Sequence, residues 1–165
     1  MIIIAHRGNT KGRNPKKENS LSYINAALNQ KYQVEVDVWY DKKKWWLGHN
    51  EPKYKIDIIW LSTTPSLWVH CKNLAAAEQL AIKHINAGHC PHFFWHETDT
   101  VTLTSHGILW TFPRRPLTSM SIAVLPELSN YTDREFSKCL GICTDLCDQY
   151  KKEFNVYGRK NIRTD

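Results

Sequence analysis

Gln33-Val34-Glu35-Val36-Asp37-Val38-Trp39 alternates without a break, with three valines on one side and Glu35, Asp37 and Trp39 on the other. A period of two is that of a β-strand, so the valines share one face and the two carboxylates share the opposite one. Carboxylates at i and i+2 project side by side and can hold one hard divalent cation, which prefers oxygen ligands. The plainer alternative is an exposed antiparallel strand whose polar side faces water.

Upstream of this strand, Ile2–His6 is a β-branched run ended by Arg7-Gly8, which reads as a buried strand delivering its last side chains to a loop. Asn19 is expected to cap a helix in which Leu21, Ile24 and Leu28 recur at helical spacing. Downstream, residues 45–49 and 67–72 read as further strands. Asn73 then caps a helix with Leu74, Ala77, Ala81 and Ile85 on one side, closed by Gly88. Beyond Pro91, apolar segments at 92–96, 108–112, 122–125 and 141–144 follow closely, leaving little room for helices between them. The rhythm predicts one domain over residues 1–165, an α/β fold of the (β/α)8 TIM-barrel type, shortened or irregular, with reduced helices in its second half. An ordinary barrel of that kind takes about 250 residues.

A chain of 165 residues with 42% hydrophobic residues can bury one real core. Its net charge of +6 makes anionic partners attractive, although the clusters Lys16-Lys17, Lys42-Lys43-Lys44, Arg114-Arg115 and Lys151-Lys152 read equally well as solvated turns. No nucleic-acid motif accompanies the charge, so no nucleic-acid partner is expected. The five cysteines form no CxxC pair and no disulfide framework, and the N-terminus reads as neither a secretory signal nor a membrane span. The expected location is the cytoplasm. A trimmed barrel leaves apolar flank uncovered, which makes a homodimer the expected assembly.

His6 ends the first strand run and His49 follows another, where barrel active-site groups would sit. Imidazole titrates near neutrality, so the two could serve as general acid and general base across a phosphodiester; either alone is more often structural or solvated. Trp110, Trp95 and Trp39 lie near strand ends, where inward-facing aromatics could line a pocket for an alcohol group, with core packing as the commoner role. Glu127 also falls at a strand end and could supplement a metal shell.

Taken in order, His6-Arg7-Gly8, Glu18-Asn19-Ser20, Glu35-Val36-Asp37 and Gly48-His49 resemble the motifs of the glycerophosphodiester phosphodiesterase family. The likeness covers the chain to about Asn73, and returns weakly at Gly141-Ile142-Cys143-Thr144-Asp145. It implies a small-molecule phosphodiester substrate and a divalent ion, magnesium, calcium or manganese, held in part by Glu35 and Asp37. It further implies His6 and His49 as the acid/base pair, Arg7 on the phosphate and Glu18 orienting the loop. In the family's mechanism a neighbouring hydroxyl of the substrate attacks phosphorus, and water then opens the cyclic phosphate.

Where the family has Glu-x-Lys, with Glu as third metal ligand, this chain has His70-Cys71-Lys72. His70 and Lys72 share the inward face, which keeps Lys72 available to bind substrate. An imidazole in place of a carboxylate removes a negative charge and favours softer transition metals over calcium or magnesium. Two readings stay open from sequence: an active enzyme with an altered metal site, or a phosphoryl-ligand binding module without catalysis. His84, His89, Cys90, His92 and His96 crowd one stretch but do not have the spacing of structural zinc sites, so a helix end and strand packing are expected there.

Overall fold

The computed structural model describes residues 1–64, 66–87 and 91–160. Gly88, expected to close a helix, lies outside the described residues, as do His89 and Cys90. The elements in chain order are β1 (Ile2–His6), α1 (Leu21–Asn29), β2 (Gln33–Asp41), β3 (Lys44–Leu47), β4 (Tyr54–Ile56), α2 (Ile58–Thr63), β5 (Leu67–Cys71), α3 (Leu74–Ala87) and β6 (His92–Phe94). There follow β7 (Val101–Leu103), β8 (Leu109–Thr111), β9 (Ser121–Val124), a 3-10 turn (Pro126–Leu128), α4 (Asp133–Phe136), β10 (Gly141–Thr144) and α5 (Cys147–Lys160).

The alternating strand is β2, and both of its faces are buried. Val34, Val36 and Val38 are fully covered by a cluster that includes Ile24 and Ala27 of α1 and Ala76 and Leu80 of α3. Burying each such side chain contributes about 1.5–3 kcal/mol relative to leaving it in water. Glu35 and Asp37 on the other face are 2% and 0% exposed. The solvent-facing antiparallel alternative is thereby excluded, because β2 runs parallel to both β1 and β5.

Seven strands run parallel in the order β6-β5-β2-β1-β10-β9-β8. β2 outruns β1, and β3 takes over the vacated edge in antiparallel register, with β4 beyond it. At the other end β7 pairs antiparallel with β8. The path curls: Phe94 of β6 and Trp110 of β8, from its opposite ends, meet with ring centroids 4.6 Å apart. Trp68 of β5 reaches Trp110 at 5.6 Å. This interior cluster also holds Ile4, Ile122, Val124 and Cys143.

The expectation of a (β/α)8 TIM-type barrel, even a shortened one, is corrected by this arrangement. The ten strands form one mixed sheet curled into a half-barrel. Between β6 and β10 the described helical structure amounts to the three-residue 3-10 turn and the four-residue α4. Of the connections there only residues 125–140 reach the roughly dozen residues that an amphipathic crossover needs, and they form just that 3-10 turn and α4. A hairpin joins β7 to β8, and largely irregular segments join the other strands.

Two local expectations also change. Asn73 does cap α3, its side chain accepting from the Ala76 N–H at 3.1 Å. Of the face chosen from spacing, Ala77 packs against the core, but Leu74 and Ile85 are turned outward, 63% and 80% exposed. That helix is apolar nearly all round, so periodicity alone does not select the Ala76–Leu80 stripe. Asn19 caps nothing: Ser20 holds the N-cap position of α1 and Asn19 sits in the left-handed region at φ 61°.

Candidate active site

Parallel strands deliver their last side chains to the same end of the sheet, and the predicted residues meet there. Register sets His6 of β1 beside Glu35 and Asp37 of β2 beside His70 of β5. Lys72 follows β5 directly. His49 comes in from the turn after β3, where the Gly48 N–H donates to the Asp37 carbonyl at 3.1 Å. Gly48 has φ 149°, and a Cβ there would collide with the Glu51 carbonyl, so this turn needs glycine.

Asp37 is the hub. Its Oδ2 accepts from Asn19 Nδ2 at 2.8 Å, and Arg7 Nε and His49 Nδ1 stand 3.0 and 3.2 Å away. Asn19 Oδ1 in turn accepts from the Asp37 N–H at 2.9 Å. His70 Nδ1 lies 3.1 Å and Lys72 Nζ 3.6 Å from Oδ1, yet this buried oxygen accepts no hydrogen bond. Burial opposes ionisation of Asp37, but contact with His49 and His70 and the charge of Arg7 hold it well below the usual carboxylate range.

Glu35 behaves in the opposite way. Burial and the neighbouring charge of Asp37 push its carboxyl up to about 7. Two carboxylates this close ionise together only when a cation compensates them. Ligand atoms of Glu35, Asp37 and His70 lie within 4.8 Å of one another, a spacing that suits one ion. Two carboxylate oxygens and an imidazole nitrogen fit a first-row transition ion better than calcium. The orphaned Asp37 Oδ1 is the position such an ion would satisfy.

The Arg7 loop is tied to this centre. Arg7 adopts φ 54°, a left-handed conformation disfavoured for a side chain of this kind by roughly 1–2 kcal/mol. Its N–H donates to Glu35 Oε2 at 3.1 Å, its Nη1 to Glu18 Oε2 at 3.2 Å, and its Nη2 lies 3.3 Å from His49 Nε2. Glu18, itself buried, thus lies against the Arg7 guanidinium. His6 Nδ1 lies 2.9 Å from Asp145 Oδ1 just past β10. Burial lowers the affinity of His6 for a proton, but the contact with Asp145 and the charge of Glu35 more than offset this and raise its pKa.

Two predicted residues are placed elsewhere. Trp110 is 3% exposed within the interior aromatic cluster, so its ring faces Trp68 and Phe94. Glu127 stands on the 3-10 turn, where its oxygens accept from the Thr144 hydroxyl at 2.9 Å and the Asp145 N–H at 3.1 Å. It secures the end of β10 and is not among the grouped metal-ligand atoms.

Three contributors escaped the sequence reading. Asp145 was visible only as part of a weak terminal motif. Asn9 donates to both Glu18 and Asp145, at 3.2 and 2.8 Å, and bridges the two ends of the chain. His96 stacks on His70 with ring centroids 4.6 Å apart and carries a buried Nδ1 with no hydrogen-bond partner. Their roles here have no local sequence signal, because Asp145 and His96 meet histidines of other strands and Asn9 ties a loop to Asp145. No protein-family model, no curated protein and no solved structure matches this chain.

Proposed function

We propose that the protein is a metal-dependent phosphodiesterase acting on a glycerophosphodiester or a similar alcohol-linked phosphodiester, of the glycerophosphodiester phosphodiesterase type in its chemistry. The observation that carries this reading is the buried Asp37 carboxylate, bordered by Arg7, His49, His70 and Lys72, with one oxygen left without a hydrogen bond. Glu35, Asp37 and His70 would hold the ion. When bound, it would supply Lewis-acid stabilisation of charge on the phosphoryl oxygens.

The remaining work falls to the chain's own groups. Asp145 is held ionised by its contacts with His6 and Asn9, against the effect of burial, and an ionised carboxylate only accepts. His6 Nδ1 therefore carries the proton in that pair, leaving Nε2 to exchange a proton with substrate. His49 Nδ1 faces Asp37 in the same way, while its Nε2 accepts from Arg7. A phosphoryl oxygen that engages the Arg7 guanidinium competes for that donor and frees His49 Nε2. Between them the two imidazoles take a proton from the attacking hydroxyl and return one to the leaving oxygen. Lys72 adds a second fixed cation beside the phosphate.

A second reading has its own support. Arg7 and Lys72 already flank Asp37, so a phosphoryl ligand would find cationic partners without any ion, and the protein would bind without turnover. Hydrolysis of glycerophosphodiesters across a panel of divalent ions separates the two. The enzyme reading expects metal-stimulated turnover that is lost in His6→Ala. Saturable binding with no turnover in any metal supports the binding module instead. No helix among the described residues is long and apolar enough to cross a membrane.

A further inference from the structure

His96 borders the Asp37 centre through its stack on His70, and the acid/base and metal roles leave it unused. β6 lies beside β5 in parallel register, with Phe94 opposite His70. Side chains two positions apart share a strand face, so past the last paired residues Lys72 and His96 continue the face that carries His70 and Phe94. Trp95, between Phe94 and His96, turns the other way and is 38% exposed. The surrounding chain is pinned: the Thr102 hydroxyl donates to the Trp95 carbonyl at 3.4 Å, and the Phe112 N–H donates to the Thr100 carbonyl at 3.0 Å.

Neighbouring rings fix the plane of the His96 imidazole. It stacks on His70 with centroids 4.6 Å apart and planes 9° from parallel, and Phe112 meets it edge-on at 4.6 Å and 62°. Phe94 lies against the same His70 ring at 5.1 Å and 11°, and 6.2 Å from His96. Rings on opposite faces of His70 would stand at least about 7 Å apart, twice the contact distance of carbon, so Phe94 and His96 cover one face together. A hydrocarbon ring serves that packing, as Phe94 shows. The imidazole adds a polar nitrogen, and His96 Nδ1 is buried with no hydrogen-bond partner among the described residues. An unpaired buried polar group is disfavoured, and at the edge of a site a ligand is the partner that satisfies it. The residue is only partly covered, and a half-turn that keeps the stack exchanges Nδ1 with the carbon opposite, so a ligand bound at this end of the sheet can meet a nitrogen.

The chemistry of that ligand group follows from its surroundings. Phosphoryl oxygens only accept, and Arg7 and Lys72 already supply cationic donors for them. A neutral imidazole has one donor and one acceptor nitrogen, and a hydroxyl answers either. The Phe112 ring beside it offers an apolar wall to a carbon skeleton. We propose that His96 is a specificity residue whose ring nitrogen hydrogen-bonds a hydroxyl of the alcohol moiety, so that the site selects phosphoesters of glycerol-like polyols over those of simple alkanols. The inference rests on the phosphodiester reading of the site and adds to it the residue that selects the alcohol.

The test is calorimetric binding of sn-glycerol 3-phosphate and n-propyl phosphate to the full chain, two esters that differ only in the hydroxyls of the alcohol. Wild type is expected to bind the glycerol ester about tenfold more tightly, the worth of one well-made hydrogen bond. His96→Phe keeps a ring on His70 and removes both nitrogens. It should bind n-propyl phosphate as wild type does and hold the two esters within about twofold of each other. Should His96→Phe not fold, His96→Leu, also apolar but smaller, is read in the same way. A purely structural role predicts that both esters weaken alike and the preference survives. That result, or a wild type without the preference, overturns the assignment. Hydrolysis of glycerophosphocholine by wild type is scored separately, so turnover with an unchanged preference in His96→Phe removes this inference and leaves the phosphodiesterase reading standing. A wild type that binds neither ester contradicts the phosphodiester reading and this assignment with it.

Discussion

His6 Nδ1 and Asp145 Oδ1 stand 2.9 Å apart although 139 positions separate them in the chain. Parallel pairing of β1 with β10 makes them neighbours, with Ala5 opposite Thr144 one step below. Asp145 fixes the ring and its tautomer, and Asn9 and Glu127 in turn fix Asp145. Proton transfer at His6 Nε2 therefore depends on a residue at the far end of the sequence.

The stability contributed by this pair varies with pH in a defined direction. The folded pKa of His6 is raised above 6.5, so its contribution is fully present below about pH 6.5 and is lost as pH rises through the folded value. Asp145 is shifted the other way, and its contribution is lost as pH falls through its lowered value. Urea denaturation should show a larger deficit for Asp145→Asn at pH 5.5 than at pH 8.5. An equal deficit at both values would deny the pair this role.

Replacement of either imidazole should remove catalysis with the fold intact. His6→Ala and His49→Ala are each expected to lower kcat by about 10²–10⁴-fold, the range for general acid or base groups. Steady-state kinetics and circular dichroism on the same samples check both halves of this statement.

Metal affinity should rise with pH. Glu35, pushed up to about 7, must lose its proton to ligate. Binding is expected to weaken by about tenfold for each pH unit below 7 and to level off above it, since one proton is displaced. Calorimetric titration with Mn²⁺ in buffers of differing ionisation enthalpy reads both affinity and proton release. In Glu35→Gln the slope should disappear together with most of the affinity.

Asn19 supports the centre through two hydrogen bonds with Asp37 and a left-handed backbone that asparagine tolerates better than most residues. Asn19→Ala leaves the buried Asp37 N–H unpaired and should destabilise the fold by about 1–3 kcal/mol. Asn19→Gly relieves the backbone conformation but not the pairing, so its urea midpoint should recover only in part.

Trp110 separates core from pocket. Its ring is buried with Trp68 and Phe94, so Trp110→Ala should destabilise the protein by about 3–5 kcal/mol. At temperatures where that variant stays folded, KM should be little changed. A large rise in KM with full stability would return Trp110 to the substrate pocket.

Much of the site was legible because strand alternation is a local signal. The 33–39 pattern placed Glu35 and Asp37 on one face, and β1 and β5 were readable as strands that end on His6 and Lys72. Strand order and curvature were not readable in the same way. The hairpin at β7 spans only three residues per strand, and nothing in residues 92–125 distinguishes strands joined by loops from strands whose helices have been trimmed. Asn19 was mistaken for a cap because the property that suits it to helix ends, a short polar side chain tolerant of left-handed backbone, also suits it to clasping Asp37. Asp145 and His96 were hidden because their partners His6 and His70 lie on strands that only the folded sheet brings near, and Asn9 because it meets Asp145 only once β1 and β10 pair.

The most direct measurement is product analysis by ³¹P NMR. Chelator-stripped protein is reloaded with zinc and incubated with glycerophosphocholine, beside a His6→Ala control carried through the same steps. The metal-dependent phosphodiesterase reading predicts that the diester resonance is replaced by that of a cyclic phosphate or a phosphomonoester, in wild type only and only with metal. A diester resonance that persists with zinc, manganese, magnesium and calcium alike, under conditions where the ligand binds, would contradict it.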